Sequence, residues 1–345
     1  MAMDTRTRYN QLSAGSKVLA VAGVALGLWA CNGGSSTTLP PGPPSAGGSM
    51  YITDFANNAI VSWNQGANCN CSPTTTIRGA NTGLSGPQGI AIDAGSNIYV
   101  ANQAVNTMTK YPGGNSGNVT PSLTIGGLAN PIGVAVDTSN NVYLTNSASS
   151  GVGTMSIQVY PPGSRVPSST IAGPATGLST PGYIALDATG NIWVANQTGN
   201  SIEEFPKTAN GNVPPAATIA GVNTLLADPQ GIAFDAAGRL YVAINNALGV
   251  PDAVLIFSQP LSGDKAPSNI LCGPNTGVNN PTGIVLNAQG TLFVVNSAFG
   301  GSPGYEATFA GNNIGGGVGC AGPFPNGAVS GPNTTLINPT GIALH

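Results

Sequence analysis

Asp93, Asp137, Asp187 and Asp235 each end the same short phrase of sequence, and carboxylates returning at one register could surround a cation with hard oxygen ligands. An aspartate in that place also accepts hydrogen bonds from the turn that follows it. A residue repeated in most copies of a phrase serves the phrase before it serves a unique site, which favours the turn. Asp54, Asn102, Asn146, Asn196 and Asn296 recur in the same way after a second phrase. The four asparagines are candidates for touching a ligand and, by the same reasoning, for satisfying backbone groups in turns. Other chemistry is scarce. His345 is the only histidine, so a Ser/His/Asp triad or a histidine-based zinc site would rest on that one residue. Cys69, Cys71, Cys272 and Cys320 are disulfide candidates, since one residue separates the first two and no histidine lies nearby to complete a metal site. Four cysteines allow three connectivities, and all three stay open.

The elements that hold these residues follow from composition. Of 345 residues only 6% are charged while 41% are hydrophobic, which excludes disorder for most of the chain. Fifty glycines and 28 prolines, with few Glu, Lys or Arg, point to many short strands joined by turns, an all-β fold. A formal charge of -3 leaves no basic face, and nucleic acid is excluded as a partner.

One phrase is written six times, as in GPQGIAID, NPIGVAVD, TPGYIALD, DPQGIAFD, NPTGIVLN and NPTGIALH, with prolines at 87, 131, 181, 229, 281 and 339. After the first five comes a second apolar phrase such as NIYVAN, then a third run such as SIEEF, then TIxG. Four short strands returning every 44 to 58 residues predict the blades of a β-propeller. Continuous apolar runs fit sheets covered on both faces. Ala91, Ala135, Ala185, Ala233 and Ala343 suit the narrow axis, and the glycine of PxG, present in five copies, suits a tight backbone turn. The sixth copy supplies only an innermost strand, whereas MYITDFANNAIVSW and TTTIRG, from Met50 and Thr74 onward, supply the other three. The expectation is a six-bladed ring over 49–345, its closing blade shared by both ends of the chain. Tyr51, Tyr99, Tyr143, Trp193, Tyr241 and Phe293 hold one register and read as packing residues.

Residues 1–30 read as a signal peptide: Arg6, Arg8 and Lys17 precede the apolar run VLAVAGVALGLWA, which is shorter than the ~20 residues of a spanning helix. LWAC resembles a bacterial lipobox, which implies that Cys31 carries the lipid. Residues 31–48 are then a Gly/Ser/Pro tether. The resulting address is the cell envelope, lipid-anchored on the periplasmic side or the cell surface.

The phrase PxGIAxDxxGNIYVAN followed by NxI resembles the NHL-repeat family over about 50–345. The family includes binding scaffolds, lactonases and lyases, so the resemblance implies the fold and leaves function open. Lyases of this kind rely on histidines that this chain lacks. Gluconolactonase-like propellers hold a divalent ion with Glu, Asn and Asp, yet Glu203, Glu204 and Glu306, the only glutamates, fall on no innermost strand. No cofactor is expected, with Ca2+ or another divalent cation held by Asp, Asn and carbonyl oxygens left open. Positions that break the repeat carry the most information. Tyr183 replaces a glycine found in five copies, and Phe55 and Phe299 lie in loops of the same face. The expected function is a binding scaffold for a protein, peptide or glycan of the envelope; the alternative is a divalent-cation-dependent hydrolase of the gluconolactonase type.

Overall fold

The computed structural model describes residues 48–148, 153–245, 251–298, 302–311 and 322–345. Cys31, Phe299, Cys320 and the leader and most of the tether lie outside them. Six four-stranded antiparallel sheets form the blades. The first blade holds β4 (Pro87–Ile92), β5 (Ile98–Asn102), β6 (Thr107–Tyr111) and β7 (Leu123–Ile125). The second holds β8 (Pro131–Val136), β9 (Val142–Asn146), β10 (Ser156–Tyr160) and β11 (Ser169–Ala172). The third holds β12 (Pro181–Leu186), β13 (Ile192–Asn196), β14 (Ser201–Phe205) and β15 (Ala217–Ile219). The fourth holds β16 (Pro229–Phe234), β17 (Leu240–Ile244), β18 (Ala253–Phe257) and β19 (Asn269–Cys272). The fifth holds β20 (Pro281–Leu286), β21 (Leu292–Asn296), β22 (Tyr305–Phe309) and β23 (Gly327–Val329).

The sixth blade joins β24 (Pro339–Leu344) to β1 (Ser49–Asp54), β2 (Ala59–Asn64) and β3 (Thr75–Arg78). Ile52 pairs with Ile342 and Met50 with Leu344, and the Ser49 N–H donates to His345 O at 2.8 Å. The innermost strands of all six blades pack on one another in ring order. Buried aliphatic and aromatic side chains fill each seam, as where Trp193 and Ile202 of the third blade meet Leu240 and Val242 of the fourth. The chain is a six-bladed β-propeller.

The glycines of PxG have a different cause from the tight turn expected of them. None has a left-handed φ. Instead a Cβ at Gly89 would come within 2.5 Å of Ile132 O, one at Gly231 within 2.2 Å of Thr282 O, and one at Gly341 within 2.4 Å of Gln88 O. At these glycines the neighbouring innermost backbone approaches so closely that no Cβ fits.

The recurring aspartates staple the turn between the first two strands of a blade. Asp93 Oδ1 accepts the Gly95 and Asn97 N–H groups at 2.9 Å each, and Tyr99 donates its hydroxyl to Oδ2 at 2.9 Å. Asp137 repeats this with Tyr143, Asp187 with Trp193 Nε1, and Asp235 with Tyr241. In the fifth blade the aromatic is Phe293, which has nothing to donate, and Asn287 stands for the aspartate while keeping the turn bonds. Burial opposes ionisation of Asp93, Asp187 and Asp235, but their donors outweigh it and hold each pKa below the usual carboxylate value.

A second device fastens blade to blade. Asn118 Oδ1, in a loop of the first blade, accepts the Asn81 N–H of the sixth at 2.8 Å, beside a parallel bridge between Ile77 and Gly117. Asn212, Asp264 and Asn70 repeat the bond to Ala175, Asn223 and Asn333. Each ties the outer strand of one blade to the next blade in the ring, which leaves that edge strand covered. Cys69 and Cys71 are joined by a disulfide, and Cys272 is also disulfide-bonded.

Candidate functional site

The innermost strands bulge between the proline and the isoleucine of PxGI, as the register shift between Pro87 and Ile90 shows. Such a bulge re-aims a side chain. Here the residue after the proline, Gln88, Ile132, Gln230, Thr282 or Thr340, lines a cavity of about 390 Å³ around the axis. The residue after the second strand adds Gln103, Gln197, Asn245 and Ser297, and the residue before the proline adds Thr180, Asn280 and Asn338. The lining thus carries seven carboxamides and no carboxylate, lysine, arginine or histidine. The Gln88 Nε2 group donates to Gln103 Oε1 at 3.0 Å, and Gln197 Nε2 to Gln230 Oε1 at 2.7 Å. Asn245 Oδ1 is buried and has no hydrogen-bond partner. Asp228 is set behind Gln230, and burial pushes its pKa up despite that amide.

Tyr183 crosses this cavity. It leaves the third blade and donates its hydroxyl to Thr340 O at 2.9 Å in the sixth, the blade diametrically opposite. Burial pushes the phenol pKa far up, so the group is a neutral donor. Tyr183→Phe is expected to cost about 1 kcal/mol of stability through the lost hydrogen bond. Tyr183→Gly should cost a few kcal/mol more by leaving a void at the axis. Denaturant melts of the two variants check this, and an unchanged midpoint for both would show that the strut carries no load.

The other residues singled out from the sequence lie behind the wall or elsewhere. Asn102, Asn146, Asn196 and Asn296 are all buried. Each accepts a backbone N–H from the loop that leads into its own blade: Ser85 at 3.4 Å, Ala129 at 3.0 Å, Ser179 at 3.1 Å and Asn279 at 2.9 Å. Asp54 does the same for Ile337 and Asn338. Phe55 is half-buried beside Gly86, whose added Cβ would meet its ring at 2.9 Å. Of the proposed ligand-binding residues, only Tyr183 lines the cavity, and Phe299 lies outside the described residues. Among the described residues no cluster of three or more His, Cys, Asp or Glu is placed to hold a metal.

The glutamines and the cavity-lining asparagines were not singled out in the sequence. Their signal was variation at the position after the proline, which reads Gln, Ile, Gly, Gln, Thr, Thr around the ring. One acid also breaks the repeat. Glu306 occupies the register held by Ile60, Met108, Ile157, Ile202 and Val254 in the other blades, between Val295 and Val329. It is fully buried; Thr308 Oγ1 donates to Oε1 at 2.7 Å, and Oε2 has no hydrogen-bond partner. Burial pushes its pKa up to about 8, although Thr308 and the nearby Val329 N–H favour the charge.

No protein-family model matches the chain, and no curated protein does. Solved structures do. The crystal structure of a protein of unknown function from Bacteroides caccae is similar at a TM-score of 0.62 with 10% identity, over 86% of this chain and 98% of that one. The WD40 β-propeller domain of Doa1 is similar at a TM-score of 0.52 with 11% identity, over 82% and 80%. At these identities the likeness is one of fold, and it agrees with the blades described above.

Proposed function

We propose that this chain is a binding scaffold of the NHL-like, lipid-anchored type, held at the cell envelope through Cys31 and capturing a ligand at the loop face around the axis. The observation that supports this is the axial cavity, whose lining offers many neutral hydrogen-bonding groups converging on one concave space. Groups of that kind orient a ligand; they do not by themselves move protons or attack bonds. Filling the cavity tests the reading. Envelope fractions that raise the melting temperature of the wild type, as a ligand of the folded state must, should fail to raise that of Gln103→Trp. Equal stabilisation of both would move the binding site off this face. Calcium-dependent stabilisation together with turnover of a lactone would replace the scaffold by the hydrolase reading.

The anchor is tested separately. Cys31→Ser should abolish lipid labelling and release the protein into the soluble fraction. Unchanged membrane association would remove the lipid from the proposal.

A further inference from the structure

The chemistry of the axial cavity is specific enough to name its ligand class, given the binding role just proposed. We propose that the cavity holds an uncharged, polyhydroxylated group: a neutral sugar residue presented by a glycan. A hydroxyl both donates and accepts, and the carboxamide is the side chain that offers a donor and an acceptor side by side. Seven of them line this one space. Two amide pairs, Gln88 with Gln103 and Gln197 with Gln230, are already bonded to each other. Each pair uses one N–H and one carbonyl oxygen and fixes the orientation of the rest, which lowers the cost of ordering them on a ligand. Asn245 lines the same space, and its Oδ1 is buried without a donor.

Charge and shape exclude the other ligands in turn. A carboxylate, phosphate or ammonium would leave water for a cavity whose lining holds no opposite charge. A peptide is recognised through apolar anchors or a strand edge, and here the apolar lining amounts to Ile132 and Ala298 beside the Tyr183 ring. Tyr183 spans the axis, so an extended chain cannot thread the ring and only a terminal or side-branch unit enters.

The experiment uses the full chain against an array of neutral oligosaccharides, their uronic-acid counterparts, and uncharged peptides, read by calorimetry. The expected result is saturable binding of at least one neutral oligosaccharide, tenfold or more weaker for its uronic-acid counterpart. In Gln230→Leu and Asn245→Leu that binding should fall at least tenfold with the melting temperature held. Val166→Ser, far from the axis and exposed, should bind as the wild type does. Saccharide binding untouched by both cavity variants overturns the proposal. Binding of the uronic acids or peptides alone, lost in the same variants, also overturns it while leaving the scaffold reading in place. Failure of every probe to bind overturns the glycan proposal, and the envelope-fraction melts then decide the scaffold reading on their own.

Discussion

Deletion of residues 339–345 is expected to abolish the cooperative unfolding transition or to lower its midpoint by more than about 10 °C, whereas deletion of 32–46 leaves the midpoint unchanged. The seven residues supply all of β24, hence the ladder to β1, the buried Ile342 and Ala343, and the Thr340 carbonyl that receives Tyr183. They also supply Thr340 Oγ1, which donates to Pro87 O at 2.8 Å, and the Gly341 N–H, which donates to Thr53 Oγ1 at 2.8 Å. Losing one large apolar side chain and several buried hydrogen bonds costs on the order of 5 kcal/mol or more, as much as the whole stability of an ordinary domain. A milder variant reads the same seam: Gly341→Ala pushes a Cβ to within 2.4 Å of Gln88 O and should destabilise without removing the strand. Equal thermal midpoints for the two truncations would mean that β24 does not close the ring.

Glu306 gives the second large effect, and it appears as a dependence on pH. In the unfolded chain this carboxyl titrates near its ordinary value of 4.5, and in the folded protein near 8. Between those values the folded state holds the proton more tightly, so stability falls as pH rises from about 4.5 to about 8 and levels off above. The loss approaches roughly 5 kcal/mol at its upper bound. Asp93, Asp187 and Asp235 run the other way: their lowered pKa values stabilise the fold above about pH 4, and that contribution fades as pH falls through the folded values. Maximum stability is therefore expected near pH 4 to 5. Glu306→Gln removes the largest of these titrations, so its melting temperature should fall much less from pH 5 to 8 than that of the wild type. The remainder comes from Asp228 and Glu204, whose pKa values are also raised by burial. Parallel profiles for the two proteins would show that the carboxyl finds solvent or a partner when it ionises.

Much of the architecture was legible because the same constraint was solved six times. PxGIAxD returns wherever an innermost strand meets its neighbour, and the match of Asp with Tyr or Trp against Asn with Phe is visible as soon as Asn287 and Phe293 are read together. The site was less legible because repetition misleads there. Asn102, Asn146, Asn196 and Asn296 stand out by recurring, and they recur because every blade needs its incoming loop held. Gln88 and Gln230 did not stand out, since the position after the proline changes from blade to blade and a varying position resembles an unconstrained one. What makes it a site is the bulge that turns those side chains toward the axis, and a bulge has no sequence letter of its own. Tyr183 was visible as the exception to a glycine rule, although a strut to the opposite blade could only be seen with the ring closed. Glu306 needed all six third strands aligned before one acid among aliphatics became apparent.

The asparagine latches between blades impose an order in time. Residues 117–118 cover the outer strand at 75–78, residues 211–212 cover that at 169–172, and residues 263–264 cover that at 217–219. In these three seams the covering loop is made after the strand it protects, so the blade most recently synthesised has an uncovered outer edge until the next loop arrives. The last such edge, at Val329, is covered instead by Cys69 and Asn70, which are made near the start and must wait through most of the chain. Closure therefore joins the earliest-made segment to the latest, a pairing of the greatest sequence separation the fold contains and the slowest kind to form. A nascent chain of this design remains sticky along one side until its synthesis is nearly complete, and it depends on whatever accompanies it during that interval to keep that side from pairing elsewhere.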